Sequence, residues 1–126
     1  MTTHMVKVGI LSRRDYIKRT QAIAAGQYTP KRGEPKLWFT SLRSMAEALS
    51  DENQQLLRQI VDKKPQSLAE LVVISGRNKS NLSRTLKMLE GYGIVSIKKV
   101  DNRSVPYVTA TDFRLEFGLN TNVYAI

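Results

Sequence analysis

The clearest hydrophobic periodicity in the chain lies in NKSNLSRTLKMLE, residues 78–90. Leu82, Leu86 and Leu89 recur at i, i+4 and i+7, a spacing that places them on one side of a helix. The other side carries small polar and basic residues, and no acid precedes Glu90. A merely solvated helix face usually mixes Glu with Lys, because opposite charges four residues apart stabilise it. The pattern therefore predicts a helix with one packed face and one face suited to contact with a partner.

Three further helical patterns precede this one, the first of them beginning near residue 40. The second begins at Ser50, a good N-cap that is followed by two acids in the first turn. The third begins at Ser67-x-x-Glu70, which has the form of a capping box, and it stops at Gly76. The short third helix, a turn that contains Gly76 and the following helix together predict a helix-turn-helix.

Two β-rich segments follow the last helix, IVSIKKV at 94–100 and VPYVTAT at 105–111. The residues between them, 101–104, are turn formers that include the basic Arg103. The last three of these helices, followed by a hairpin with a basic tip, have the order of elements of a winged helix-turn-helix. We therefore predict such a domain over residues 40–112, with its wing at 95–111.

The segment before this domain has a different pattern. Val6, Val8 and Ile10 alternate in a plausible strand, and Ser12 begins a basic helix that stops at Gly26. Residues 1–39 are thus predicted to form a strand-helix extension that serves dimerisation or partner binding. The strand needs a neighbour, and the candidates are KLWF at 36–39, FRLEFGL at 113–119 or another subunit. Residues 113–126 are expected to be a C-terminal strand or tail, and the fold class is mainly α with small β elements (α+β).

Composition and charge narrow the functional classes. The chain has 126 residues and a formal net charge of +9; residues 1–42 carry +6 and residues 77–103 carry +5, whereas residues 43–76 between them carry −1. Such a balance favours polyanionic partners. The basic residues of the N-terminal helix and the loop after it could extend a DNA footprint or bind an acidic protein; they are Arg13, Arg14, Lys18, Arg19, Lys31, Arg32 and Lys36.

Candidate catalytic chemistry is nearly absent from the sequence. The chain has no cysteine, and its one histidine, His4, lies near the terminus. These counts give no support for a thiolate site, a catalytic triad or a histidine metal site, so we expect no enzyme, no metal and no cofactor. The longest aliphatic run, residues 71–74, is too short to cross a bilayer, and no secretion signal opens the chain. The expectation is a cytoplasmic protein that does not enter membranes.

Helical geometry assigns roles on the predicted contact face. With Leu82 pointing inward, Ser80, Arg84 and Lys87 point directly away from the core. We expect base contacts from the N-terminal half of the helix, namely from Lys79, Ser80, Asn81 and Arg84. Phosphate contacts are expected from Lys87 and from Ser67 at the start of the preceding helix. The wing residues Lys98, Lys99 and Arg103 are expected at the DNA backbone or minor groove, although the two lysines also suit a charged edge strand that resists aggregation.

A family resemblance adds to this reading. The stretch SLAELVVISGRNKSNLSRTLKMLEGYGIVSIKKVDNRSVPYVTAT resembles the DNA-binding core of MarR-like and ArsR-like winged-helix regulators. With SDENQQLLRQI before it and the strand-helix unit in front, the chain is similar to small prokaryotic transcriptional regulators, some of which act as antitoxins. The resemblance implies a homodimer that binds DNA specifically and represses its own operon. It places recognition on Lys79, Ser80, Asn81, Ser83 and Arg84, and wing contacts on Asn102 and Arg103. The effector site of MarR-like proteins is not implied, because their long dimerisation helices are missing here.

Two functions remain open from the sequence. The first is a repressor or autoregulator that reads a palindromic operator in double-stranded DNA as a homodimer. The second is an antitoxin that neutralises a toxin protein through the basic N-terminal unit and also regulates its operon. Non-specific binding of nucleic acid is a third possibility, which would show no discrimination between an operator and random duplex.

Overall fold

The computed structural model describes residues 3–120 and confirms a mixed α and β fold within them. These residues form five helices and five strands. In chain order they are β1 (Met5–Ile10), α1 (Arg13–Ala24), β2 (Leu37–Phe39), α2 (Leu42–Ala48), α3 (Asp51–Lys63), α4 (Leu68–Ser75), α5 (Lys79–Tyr92), β3 (Val95–Val100), β4 (Arg103–Val108) and β5 (Asp112–Glu116).

The chain divides into two compact units. Within residues 3–120, the helical unit comprises Glu47–Thr111 together with residues 3–4. The sheet unit comprises Met5–Ala46 together with residues 112–120. The C-terminal strand therefore belongs with the N-terminal segment, although more than sixty residues separate them in sequence.

Side-chain caps define the helix starts of the helical unit. Ser50, Ser67 and Asn78 each accept a hydrogen bond from the backbone N–H three residues later, at 3.2, 3.1 and 2.7 Å. The capping box predicted at Ser67 forms only in part, because the Glu70 carboxylate accepts from the N–H of Gln66, not of Ser67. The core of the unit is aliphatic, and its buried side chains include Leu56, Leu57, Ile60, Leu71, Leu82, Leu86, Leu89, Ile94, Val95 and Val105.

Strands β3 and β4 form an antiparallel hairpin with a two-residue turn. Val100 pairs with Arg103, and Asp101 and Asn102 between them have φ values of 50° and 66°. Positive φ at both central positions is the signature of a type I′ turn, which matches the twist of the flanking strands. The predicted turn at 101–104 was therefore too long, since Arg103 already lies in β4.

The sheet unit contains a three-stranded parallel sheet in the order β2-β1-β5. Val8 pairs with Leu37 of β2 on one side and with Leu115 of β5 on the other. Helix α1 is the crossover that parallel strands β1 and β2 require. Both segments of this chain proposed as neighbours for β1 thus pair with it, and β1 leaves no edge for another subunit.

Helix α1 buries Arg19, one of the basic residues that were expected to contact DNA or an acidic protein. Arg19 is only 4% exposed and donates to both carboxylate oxygens of Glu34, at 3.3 and 3.0 Å. Its guanidinium lies 5.1 Å from the ring centres of both Tyr28 and Trp38. Arg19 therefore holds the loop before β2 against the helix and is not available for DNA or for an acidic partner.

Glu34 is the centre of this buried cluster. It also accepts from the hydroxyl of Tyr28 and from the backbone N–H of Lys31. The hydrogen bonds from Arg19 lower the pKa of Glu34 to about 2, and those from Tyr28 and Lys31 act in the same direction against the effect of burial. Trp38 is half-buried beside this cluster.

Candidate nucleic-acid interface

The rotation of helix α5 is set by its three leucines. Leu82, Leu86 and Leu89 are 0, 3 and 0% exposed. Every polar residue predicted on the contact face of α5 is exposed to solvent, namely Lys79, Ser80, Asn81, Ser83, Arg84 and Lys87. These six residues include three cations and no carboxylate, which gives them both hydrogen-bonding groups and a positive potential, and the one exposed acid of the helix, Glu90, lies near its C-terminal end.

The turn before α5 is fastened to helix α3 by an arginine that sequence reasoning did not single out. Arg77 donates to the carbonyl oxygen of Glu52 at 2.7 Å and to Oδ1 of Asn53 at 3.1 Å. The amide of Asn53, itself buried, donates to the carbonyl of Ala48 at 3.1 Å. Arg77 is thereby a positioning residue for the start of α5. No local pattern identifies it, because its partners lie 24 and 25 residues upstream.

Ser67 is the least suited of the predicted phosphate contacts. Its side chain is half-buried, and its hydroxyl oxygen already accepts from the N–H of Glu70 at 3.1 Å. The Glu70 carboxylate accepts from the adjacent N–H of Gln66 at 2.5 Å. The Glu70 carboxylate therefore places a negative charge at the N-terminal end of α4, where a phosphate would otherwise bind.

The basic residues of the hairpin lie on two different faces. Lys98, Lys99, Asn102 and Arg103 are all exposed. Because side chains alternate along a strand, Lys98 and Lys99 point to opposite faces of the hairpin. Lys98 shares its face with Arg103, and its ammonium lies 5.1 Å from the ring centre of Tyr107. Lys99 lies opposite Ser104 on the other face.

The face that carries Lys99 borders a cleft against α5. The cleft has a volume of about 270 Å³ and a largely apolar floor. Its lining residues are Leu68, Ser83, Leu86, Lys87, Glu90, Ile97, Ser104 and Pro106. Two of the predicted contact residues, Ser83 and Lys87, therefore face the hairpin, whereas Ser80 and Arg84 point away from the body of the unit.

Two other kinds of feature are absent from residues 3–120, a metal-binding cluster and a membrane-spanning helix. No group of three or more His, Asp or Glu side chains there is arranged to hold a metal ion. None of the helices in that range combines the length and the apolar character that a bilayer crossing needs.

The comparisons with known proteins identify a family. The family model HVO_A0114 matches residues 48–115, which is more than half of the chain, and the protein belongs to that family. The match spans α3, α4, α5 and the β3–β4 hairpin and ends within β5. Neither the curated proteins nor the solved structures yielded a significant match.

Proposed function

We propose that this member of the HVO_A0114 family is a sequence-specific DNA-binding transcriptional regulator, acting as a repressor or autoregulator. Its helical unit is then a winged helix-turn-helix, in which α4 and α5 are the helix-turn-helix pair and the hairpin is the wing. The main support for the proposal is the unequal distribution of side chains around α5. Three buried leucines fix one face, while the opposite face is exposed, acid-free and basic.

The residues on that face have the chemistry for reading bases. Ser80 and Asn81 are short hydrogen-bonding side chains that allow a helix to approach base edges closely. Arg84 can donate to both O6 and N7 of a guanine in the major groove, a pairing that no other base offers. All three lie in the N-terminal half of α5, the part of a reading helix that enters the groove. Arg84 is therefore the expected main determinant of sequence preference.

The cleft between α5 and the hairpin suits the DNA backbone. Lys87 lines the cleft on its α5 side together with the acidic Glu90, and Lys99 lies on the hairpin face that borders it. Two ammonium groups on either side of a phosphate strand would position the duplex without reading its sequence. Lys98 is less well placed, because it lies on the other face and over the Tyr107 ring.

The proposal is tested by comparing Arg84→Ala with a matched control, Arg58→Ala, an exposed arginine on α3. A binding site is first selected from random duplexes and compared with protection of the DNA upstream of the gene. Arg84→Ala should weaken binding to that site by about 1–3 kcal/mol and relax the preference at one base pair. Arg58→Ala should change neither.

Two outcomes would overturn the proposal. If the wild-type protein selected no consensus, DNA binding would be non-specific. If Arg84→Ala left the ratio of specific to random affinity unchanged, α5 would not be the reading helix. Titrations at several salt concentrations are needed, because affinities for DNA are interpretable only with their salt dependence.

A further inference from the structure

Strand β5 presents an open edge with an unusual sequence. It is the outer strand of the sheet unit, and among residues 3–120 no strand pairs with its outer edge. Leu115 and Phe117 are 41 and 51% exposed, and Phe113 is half-buried. An exposed apolar strand edge is a template for pairing with another strand. The order of residues along this edge indicates which strand can pair with it.

Residues 113–117 read Phe-Arg-Leu-Glu-Phe, a pattern that is complementary to itself in the antiparallel direction. If a second copy pairs with Leu115 as the centre, Leu115 lies opposite the partner's Leu115. Arg114 then lies opposite the partner's Glu116, and Phe113 opposite the partner's Phe117. Opposite charges or apolar groups thus meet at every position; the Arg114–Glu116 and Phe113–Phe117 pairs each occur twice because of the two-fold symmetry, and the Leu115 pair lies on the axis.

Other registers are less complementary. A centre on Arg114 would set that arginine opposite its own copy and Asp112 opposite Glu116, so that like charges meet. A centre on Phe113 would pair Asp112 with Arg114 but would leave Leu115 and Phe117 without apolar partners. The Glu116 carboxylate already lies 3.0 Å from the ammonium of Lys7, and the Glu116 side chain is still 44% exposed. A second cation can therefore reach it from the open side.

We propose that β5 binds β5 of a second copy of this chain, antiparallel and centred on Leu115, to give a continuous six-stranded sheet in a two-fold dimer. This proposal rests on the sheet unit alone and does not depend on DNA binding. If both proposals hold, the two-fold axis makes a palindromic site the expected DNA target.

Charge reversal tests the register. Arg114→Glu and Glu116→Arg each set like charges opposite one another in a homodimer, and each should weaken dimerisation by about tenfold or more. Mixed in equal amounts, the two variants restore opposite charges at all four positions, so a heterodimer should form. Arg43→Glu, at an exposed position of the same unit, changes the net charge by the same amount as Arg114→Glu and should leave the dimer intact. Light scattering after size exclusion and native mass spectrometry report the species, and circular dichroism checks that each variant is folded.

Each result of this experiment is decisive. A wild-type monomer at tens of micromolar would overturn the proposal, and so would a dimer that survives both reversals. If Glu116→Arg alone had no effect, the centre would not be Leu115. Failure of the mixed variants to associate, while both are folded, would equally rule out this pairing.

Cross-linking provides a second measurement that does not rely on charge. The chain contains no cysteine, so a single introduced thiol reports only its own surroundings. Residues directly opposite in an antiparallel pair have Cα atoms about 4.5–5.5 Å apart, within the range of a disulfide. Leu115→Cys should therefore form a disulfide-linked dimer on mild oxidation. Leu119→Cys, at a position 97% exposed and beyond the end of β5, should not, because Leu119 is not in the paired strand; equal cross-linking of both variants would contradict the register.

Discussion

The buried ion pair between Arg19 and Glu34 allows a prediction whose magnitude follows from the structure. The pKa of Glu34 falls from its ordinary value of 4.5 to about 2 in the folded protein. A difference of about two to three pKa units corresponds to about 3 kcal/mol of stability at neutral pH. Glu34→Gln keeps the shape of the side chain but leaves the buried guanidinium without a counter-charge. We therefore expect the variant to lose about 3 kcal/mol at pH 7.

The pH dependence has a definite sign. Because the folded-state pKa lies below the unfolded value, the stabilisation is complete above about pH 4.5 and is lost as the pH falls towards about 2. Glutamine does not titrate in this range. The stability difference between wild type and Glu34→Gln should therefore shrink over that window.

Urea unfolding followed by tryptophan fluorescence is the appropriate assay. Trp38 is the only tryptophan, and the guanidinium of Arg19 lies over its ring, so the signal reports on the same unit. The control is Glu47→Gln at an exposed carboxylate, which should change stability little. The reasoning fails if the two variants lose the same stability at pH 7, or if the loss in Glu34→Gln is as large at pH 3 as at pH 7.

Two further predictions concern the helical unit. Lys99→Ala should reduce the salt dependence of DNA binding by about one unit of slope, whereas Lys98→Ala, on the opposite hairpin face, should have a smaller effect. Equal effects in filter-binding titrations would mean that the cleft does not hold the DNA backbone. Leu89→Ala should destabilise the unit by about 2–5 kcal/mol, because the side chain is fully buried. Val73→Ala, at a position 83% exposed on α4, should be close to neutral in thermal unfolding by circular dichroism, and a comparable loss there would contradict the assigned core.

Much of the candidate site follows from short-range pattern. The spacing of three leucines determines which residues of α5 face solvent, so the exposure of Arg84 and Ser80 could be anticipated. The features of the site that the sequence did not predict depend on contacts between distant segments. Arg77 acquires its positioning role only when α3 is brought beside the turn. The opposite orientations of Lys98 and Lys99 make one of them a better candidate than the other only once the hairpin packs beside α5.

Local elements were determined by the sequence itself, because a cap, a turn and a helical face each depend on residues within a few positions of one another. Ser12, Ser50 and Ser67 all cap the helices that their positions predict. Only the tertiary structure decided that β5 joins β1 in parallel, and that Arg19 turns inward to meet Glu34. Such pairings are selected by the total free energy of contacts between distant segments. Arg19 carries the same charge as its exposed neighbours on α1, and only the carboxylate and aromatic rings that surround it make its burial favourable.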